Sequence, residues 1–272
     1  MRHKRDRISL RVAPEERREI SDEELRAHQL TAKEALDEVK SVCERHTIPY
    51  YLLAGSCLGA VRHQGFIPWD DDIDIGIPES DYERFEKAIS EELADRFTWI
   101  SNTNAVRYPR LFGKVLYQGI GCVDCFQLVK TADTPKKRAF HHFIKELWLK
   151  VYLRKIDCFW PGENRLYYII SVMLASVLSR KTVIRLIRRN EAHYRDKGTH
   201  FCMNINSIYS AEKETIREDW LEPAGKVIFE GTEYQTVNDT DAYLTHLYGD
   251  YMTPPPVEKR SQHHVLTRFT LT

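Results

Sequence analysis

The stretch Tyr50–Ile77, YYLLAGSCLGAVRHQGFIPWDDDIDIGI, sets four aspartates within five positions between two apolar runs, and it constrains the chain more than anything else in it. Ile73, Ile75 and Ile77 alternate with Asp72, Asp74 and Gly76, which predicts a β-strand with the isoleucines on the core face. Asp72 and Asp74 then project together from the other face. Carboxylates two residues apart on a strand are separated by ~7 Å along it, close enough to converge on one hard divalent cation. Without a cation, clustered carboxylates raise one another's pKa. The competing reading is a solvated acidic turn after Pro68 and Trp69, since Asp is common in turns. It suits Asp70 and fails for Asp74, which lies between two isoleucines.

A third acidic position follows in GIGCVDCFQLV, a run with strand composition. Asp124 sits there between Val123 and Cys125, and an ionisable group in an apolar strand needs a partner. Upstream, Gly55-Ser56 reads as a small turn whose backbone N–H groups can approach a phosphate, with the Ser56 hydroxyl as a further donor. A Gly-Ser turn, an Asp-x-Asp strand and a later strand aspartate form an order that suits metal-assisted phosphoryl transfer. An activated diphosphate also needs cationic contacts. Arg62, His63, Arg110 and Lys114 are candidates for them, and so are Arg260, His263 and His264 after the Pro254–Pro256 segment. The plain alternative for each is a solvated surface position, because 40 Lys and Arg must be placed. Trp69 and Tyr251 offer aromatic faces to a base or a quaternary ammonium, although core packing is the commoner job for an aromatic.

These residues carry a family resemblance. LLAGSCLGAVRHQGFIPWDDDIDIGIPESDYERF resembles the signature of the LicD family within the nucleotidyltransferase-fold superfamily, and the resemblance resumes at VDCFQL and at KVIFEGTEYQTVNDTDAYLTHLYGDYMTPPP with the later HH. It implies an α+β (α/β) fold, a mixed sheet with flanking helices. It implies transfer of a phosphorylated alcohol, phosphocholine first among them, from a CDP-linked donor such as CDP-choline to a hydroxyl of a bacterial surface glycan or lipid-linked oligosaccharide. One or two Mg²⁺ ions, or Mn²⁺ in their place, would be the cofactor. The site positions carried over are Gly55, Ser56, Asp72, Asp74 and Asp124. Two other readings stand beside this one: transfer of the nucleotide itself, which the same motif serves, and a non-catalytic scaffold that binds nucleotide or glycan.

The 272 residues, 42% of them hydrophobic, suffice for a sizeable core. Net charge is zero but uneven. Residues 136–197 hold 15 Lys and Arg against 5 Asp and Glu, a net of +10, so the rest carries −10. Nothing in this balance asks for nucleic acid. The expected organisation is an N-terminal arm (1–20), a catalytic core (21–135), a basic, aromatic-rich helical insertion (136–200) and a part completing the core (201–272). A capping box at Ser21 and Glu24 predicts a helix running to about His46, and a second at Ser80 and Glu83 predicts one to about Asp95. Val227–Phe229 and Glu233–Val237 read as a hairpin, and Asp239–Tyr248 as a short helix. In the insertion, broken at Pro161-Gly162, the residues Phe140, Phe143, Ile144, Leu147, Trp148 and Val151 are expected to form the buried face of a helix. Basic helices with aromatics can lie on an anionic membrane; packing with a solvated basic face is the commoner reading.

Six scattered cysteines and an N-terminus without an apolar core predict free thiols and a cytoplasmic location, peripheral at the inner membrane face if the insertion binds lipid. The single CVDC pair lies in a strand and is weak for redox or zinc chemistry. Leu166–Leu178 is too short to span a bilayer.

Overall fold

The protein was analysed as a computed structural model describing residues 16–105, 107–158, 165–207, 209–256, 258, 260 and 265–269; of residues 16–19 and 265–267 it describes the backbone. Pro161-Gly162, His263 and His264 therefore lie outside the described residues.

In chain order the elements are β1 (Glu16–Glu19), α1 (Asp22–Arg45), β2 (Tyr51–Leu52), α2 (Ala54–His63), β3 (Ile73–Pro78), α3 (Glu79–Glu92), β4 (Phe97–Ile100), β5 (Gly113–Tyr117) and β6 (Ile120–Thr131). They are followed by α4 (Pro135–Lys155), α5 (Arg165–Val177), α6 (Arg180–Glu191), a 3₁₀ turn (Ala192–Tyr194), β7 (Phe201–Asn204), β8 (Thr215–Arg217) and α7 (Glu218–Leu221). β9 (Gly225–Phe229), β10 (Thr232–Thr236), α8 (Thr240–Tyr248) and β11 (Val265–Arg268) complete the chain. The strands form one mixed sheet with the central order β1-β11-β6-β3-β2-β10-β9, and β5 and β7 also pair with the long β6. The α/β architecture with a mixed sheet agrees with expectation.

The expected alternation organises the sheet. Ile73, Ile75 and Ile77 are fully buried with Val123 and Cys125 of β6, under the α1 stripe of Ala32, Leu36, Val39 and Cys43 and under Phe85 of α3. β3 and β6 run parallel in direct register, Ile73 beside Val123, Asp74 beside Asp124 and Ile75 beside Cys125. The acidic positions thus share the face opposite the isoleucine core, since alternate residues point to opposite sides. Tyr82 of α3 ties the neighbouring strands together: its hydroxyl donates to the Cys125 carbonyl at 2.8 Å and accepts from the Gly113 N–H at 2.9 Å.

The capping box at Ser21 and Glu24 is present and opens α1. The second is not. Pro78 caps α3 and the Ser80 hydroxyl turns to Asp81, because β3 runs directly into the helix and leaves Ser80 inside its first turn. The hairpin and the final helix form as expected, with Asp239 as the N-cap of α8. In α4 the expected buried face is displaced. Arg138, His141, Lys145, Val151, Tyr152 and Leu153 are buried, while Phe140 and Phe143 stand exposed. The helix turns polar side chains inward because a polar cavity and Glu212, not apolar core alone, lie beneath it. No helix among the described residues is long and apolar enough to cross a membrane. All six cysteines are free, and burial pushes the Cys122 thiol up to about 12 and that of Cys125 well above its ordinary value, so neither is a ready thiolate.

Candidate active site

Asp72, Asp74 and Asp124 meet at the floor of a cavity of about 820 Å³, with one ligand oxygen from each lying within 4.8 Å of the others. Asp70, read as a turn residue in the sequence, joins them on the cavity wall. Burial, then Asp72 and Asp71, lift the Asp70 carboxyl to about 8. Burial, then Asp72, Asp124 and Asp70, hold Asp74 well above the carboxylate range. Asp124 rises to about 6: burial raises it, and Lys114 opposes. Lys114 is the register partner of Asp124 on β5 and its ammonium bonds the Asp124 carboxylate. Burial alone would lower the Lys114 pKa, but Asp124 and Asp72 outweigh that and raise it. Hard oxygens at this spacing, repelling one another with a single lysine among them, suit a divalent cation such as Mg²⁺.

The expected Gly-Ser turn is instead the first turn of α2. Leu53, its N-cap, offers no capping side chain. The Ala54 N–H donates to the Tyr243 hydroxyl at 3.0 Å and the Cys57 N–H to the Leu53 carbonyl at 3.0 Å, and no bond to the N–H groups of Gly55 and Ser56 is seen among the described residues. A helix start with open N–H groups favours anions. Gly55 lies on the cavity wall, and a Cβ there would stand 2.8 Å from Asp70 Oδ2. Ser56 does something other than face a ligand. It is buried, and its hydroxyl accepts the Asp74 N–H at 2.8 Å, locking α2 to β3.

Of the basic candidates, Arg110 and Lys114 line the cavity. Arg62, His63 and Arg260 do not. The chain folds them together around Trp69: the Arg260 guanidinium lies 4.6 Å over its ring, His63 meets it edge-on, and Arg62 donates to the Tyr251 carbonyl at 2.7 Å. The cause is α2 itself, which carries Gly55 at one end and Arg62 at the other, about 1.5 Å per residue apart.

The facing wall was not anticipated. α4 supplies His142, Lys145 and Glu146, the segment after β7 supplies Asn206 and Glu214, and α8 supplies Tyr248. Lys145 is 2% exposed and Glu214 6%. Burial lifts the Glu214 carboxyl to about 7 against the Ser207 hydroxyl bond and the nearby Lys213 and Lys145. Arg138 pairs with Glu212 at 2.8 Å and so fastens this segment to α4. Arg138, His141 and Lys145 recur at helical spacing along α4, and of these three only Lys145 reaches the cavity.

A mixed sheet that gathers carboxylates from two parallel strands beside a helix N-terminus is suited to holding a divalent cation against a phosphorylated ligand. Residues 47–143 match the family described as LicD/FKTN/FKRP, nucleotidyltransferase domain. The lipopolysaccharide cholinephosphotransferase LicD of Haemophilus influenzae is 26% identical over 91% of this chain and 98% of its own. The ribitol 5-phosphate transferase FKRP of Homo sapiens is 47% identical over 16% of this chain and 9% of its own, and an uncharacterized protein of Rickettsia prowazekii is 40% identical over 23% and 26%. Residues 47–143 thus carry a LicD-family domain, and the likeness to LicD of Haemophilus influenzae extends along most of the chain.

Proposed function

We propose that this protein transfers a phosphorylated alcohol, phosphocholine in the first instance, from a CDP-linked donor to a hydroxyl of a bacterial surface glycan or lipid-linked oligosaccharide. The observation carrying this reading is the side-by-side placement of Asp74 and Asp124, with Asp72, on the cavity floor next to Gly55. The likeness to a named cholinephosphotransferase along nearly its whole length supports the choice of group and acceptor.

In this reading Asp72, Asp74 and Asp124 hold Mg²⁺, which supplies neutralisation of the donor diphosphate. The first turn of α2, Arg110 and Lys114 bind the phosphates and keep them in line. The acceptor oxygen forms a bond to the alcohol-bearing phosphorus as the bond to the bridging oxygen breaks; CMP leaves with that electron pair, and the hydroxyl proton passes to the Asp124 carboxylate. Arg62, Arg260 and Trp69 remain outside the cavity and would act only on a part of the substrate that extends beyond it.

The test is an assay with CDP-choline carrying label in the phosphate next to cytidine, a lipooligosaccharide acceptor and Mg²⁺. Labelled CMP should be released only when acceptor and divalent ion are both present, and Asp74→Asn should abolish it. Label retained on the acceptor would mean nucleotidyl transfer, and undiminished release by Asp74→Asn would overturn the site.

A further inference from the structure

A surface helix normally turns its large apolar side chains inward. α5 does so with Leu174, which packs on the α4 and α6 core, and turns most of its other large apolar residues outward. Its buried residues are the small Ser171 and Ala175, whereas Ile169, Met173 and Val177 are 45%, 64% and 77% exposed, with Ile170 and Val172 exposed beside them. Lys155 of α4 donates to the Ala175 carbonyl at 2.8 Å, so α5 approaches α4 through its small side and presents its large one to the outside. The patch continues onto α4, where Tyr167 lies 5.5 Å from Phe143 and Phe143 lies 6.2 Å from Phe140. A contiguous apolar surface across two helices exceeds what scattered exposure produces and marks a contact face.

Cations border it. Phe140 shares a groove of about 290 Å³ with Arg189 of α6, and Arg189 is the last of three exposed cations, Lys181, Arg185 and Arg189, set four residues apart along one side of that helix. Lys136 and Lys137 are exposed at the start of α4. Between residues 164 and 190 the sequence has no Asp or Glu.

We infer that this face of α4, α5 and α6 docks on an anionic phospholipid surface, the apolar residues of α5 entering the headgroup boundary and the α6 cations meeting lipid phosphates. A second copy of the chain is the poorer occupant, because a two-fold contact would set this acid-free cationic border against itself. Lipid phosphate with an acyl layer beneath it matches both halves of the face. The consequence for the site follows from α4, which carries Phe140 and Phe143 outward and His142, Lys145 and Glu146 into the cavity, so docking holds the cavity close to the lipid. That consequence rests on the proposed lipid-linked acceptor; the docking itself does not.

The experiment is co-sedimentation of the full chain with vesicles of phosphatidylcholine alone or mixed with phosphatidylglycerol, alongside the oligomeric state without lipid. The chain should bind the mixed vesicles about tenfold or more tightly than neutral ones, and salt should weaken the binding. Met173→Glu with Val177→Glu should abolish sedimentation, and Lys181→Glu with Arg185→Glu should cut it at least severalfold, with thermal unfolding unchanged because all four positions are exposed. Absence of binding to mixed vesicles, or equal binding by the variants, would overturn the inference. So would a lipid-free dimer that Met173→Glu dissociates, which would give the face to a second copy. Vesicle binding without CDP-choline turnover would leave the docking standing and remove the proposed reaction.

Discussion

Asp74 and Asp124, fifty positions apart in the chain, are direct partners on adjacent parallel strands. Neighbouring strands are about 4.8 Å apart, so the two side chains stand abreast on one face of the sheet. On the far side of Asp124 stands its other register partner, Lys114. The lysine relieves Asp124, whose carboxyl rises only to about 6, and leaves Asp74 the more frustrated of the pair.

Removing the Asp74 charge should therefore stabilise the protein while disabling it. Asp74→Asn in chelator should unfold about 2 to 4 °C above the parent, the equivalent of roughly 1 kcal/mol in a chain of this size. The parent should shift upward in Mg²⁺ under the proposed function, and the variant should not. Calorimetry with and without Mg²⁺ reads both; an asparagine variant that melts below the parent in chelator would contradict the repulsion argument.

Lys114 and Asp124 form a buried pair, with side chains 13% and 7% exposed. Breaking such a pair strands a charge, so Lys114→Met should cost about 3 kcal/mol. Asp124→Asn on top of it should restore much of that loss, because the carboxylate stranded by loss of the lysine is then gone and repels Asp72 and Asp74 no longer. Urea unfolding of the two single variants and the double gives the coupling. Additive losses would show that the two side chains do not interact.

Much of this site was legible in the sequence because a strand alternates with period two. Ile73, Ile75 and Ile77 fixed which face Asp72 and Asp74 would take, and Val123 and Cys125 did the same for Asp124. Helix starts were less legible. Ala54-Gly55-Ser56 has the composition of a turn, and only the Tyr243 hydroxyl and the Asp74 N–H, both distant in sequence, explain why it is the opening of α2. The wall of Lys145, Glu146 and Glu214 was illegible for a different reason. A charged residue in a basic region reads as solvated until the sheet and the 204–214 segment close over it. Asp70 was misread likewise, since its burial comes from packing against Gly55 and not from its neighbours in the chain.

Glu214 gives a pH dependence with a definite sign. Its carboxyl titrates at about 7 in the folded protein against 4.5 ordinarily, so between these values the folded state keeps a proton that the unfolded state releases. Its contribution to stability is full below 4.5 and is lost as pH rises through 7. Glu214→Gln should match the parent near the acid end and melt several degrees above it at about pH 8. Paired melting curves across that range decide it; a difference independent of pH would mean that Glu214 does not titrate as described.

Gly55 is required by space and not by backbone angle. A Cβ there would come within 2.8 Å of Asp70 Oδ2, and within 4.0 Å of Asp74 Oδ2, at the wall where the donor phosphates are proposed to lie. In the first turn of a helix alanine is otherwise favoured over glycine by up to about 1 kcal/mol. The two effects separate cleanly: Gly55→Ala should unfold at or slightly above the parent temperature and lose about a hundredfold in kcat/KM, as a displacement of this order does to reacting groups. Thermal unfolding and the CMP-release assay on one preparation check both halves. An alanine variant with full activity would show that Asp70 moves aside freely and that the close approach at Gly55 has no part in the reaction.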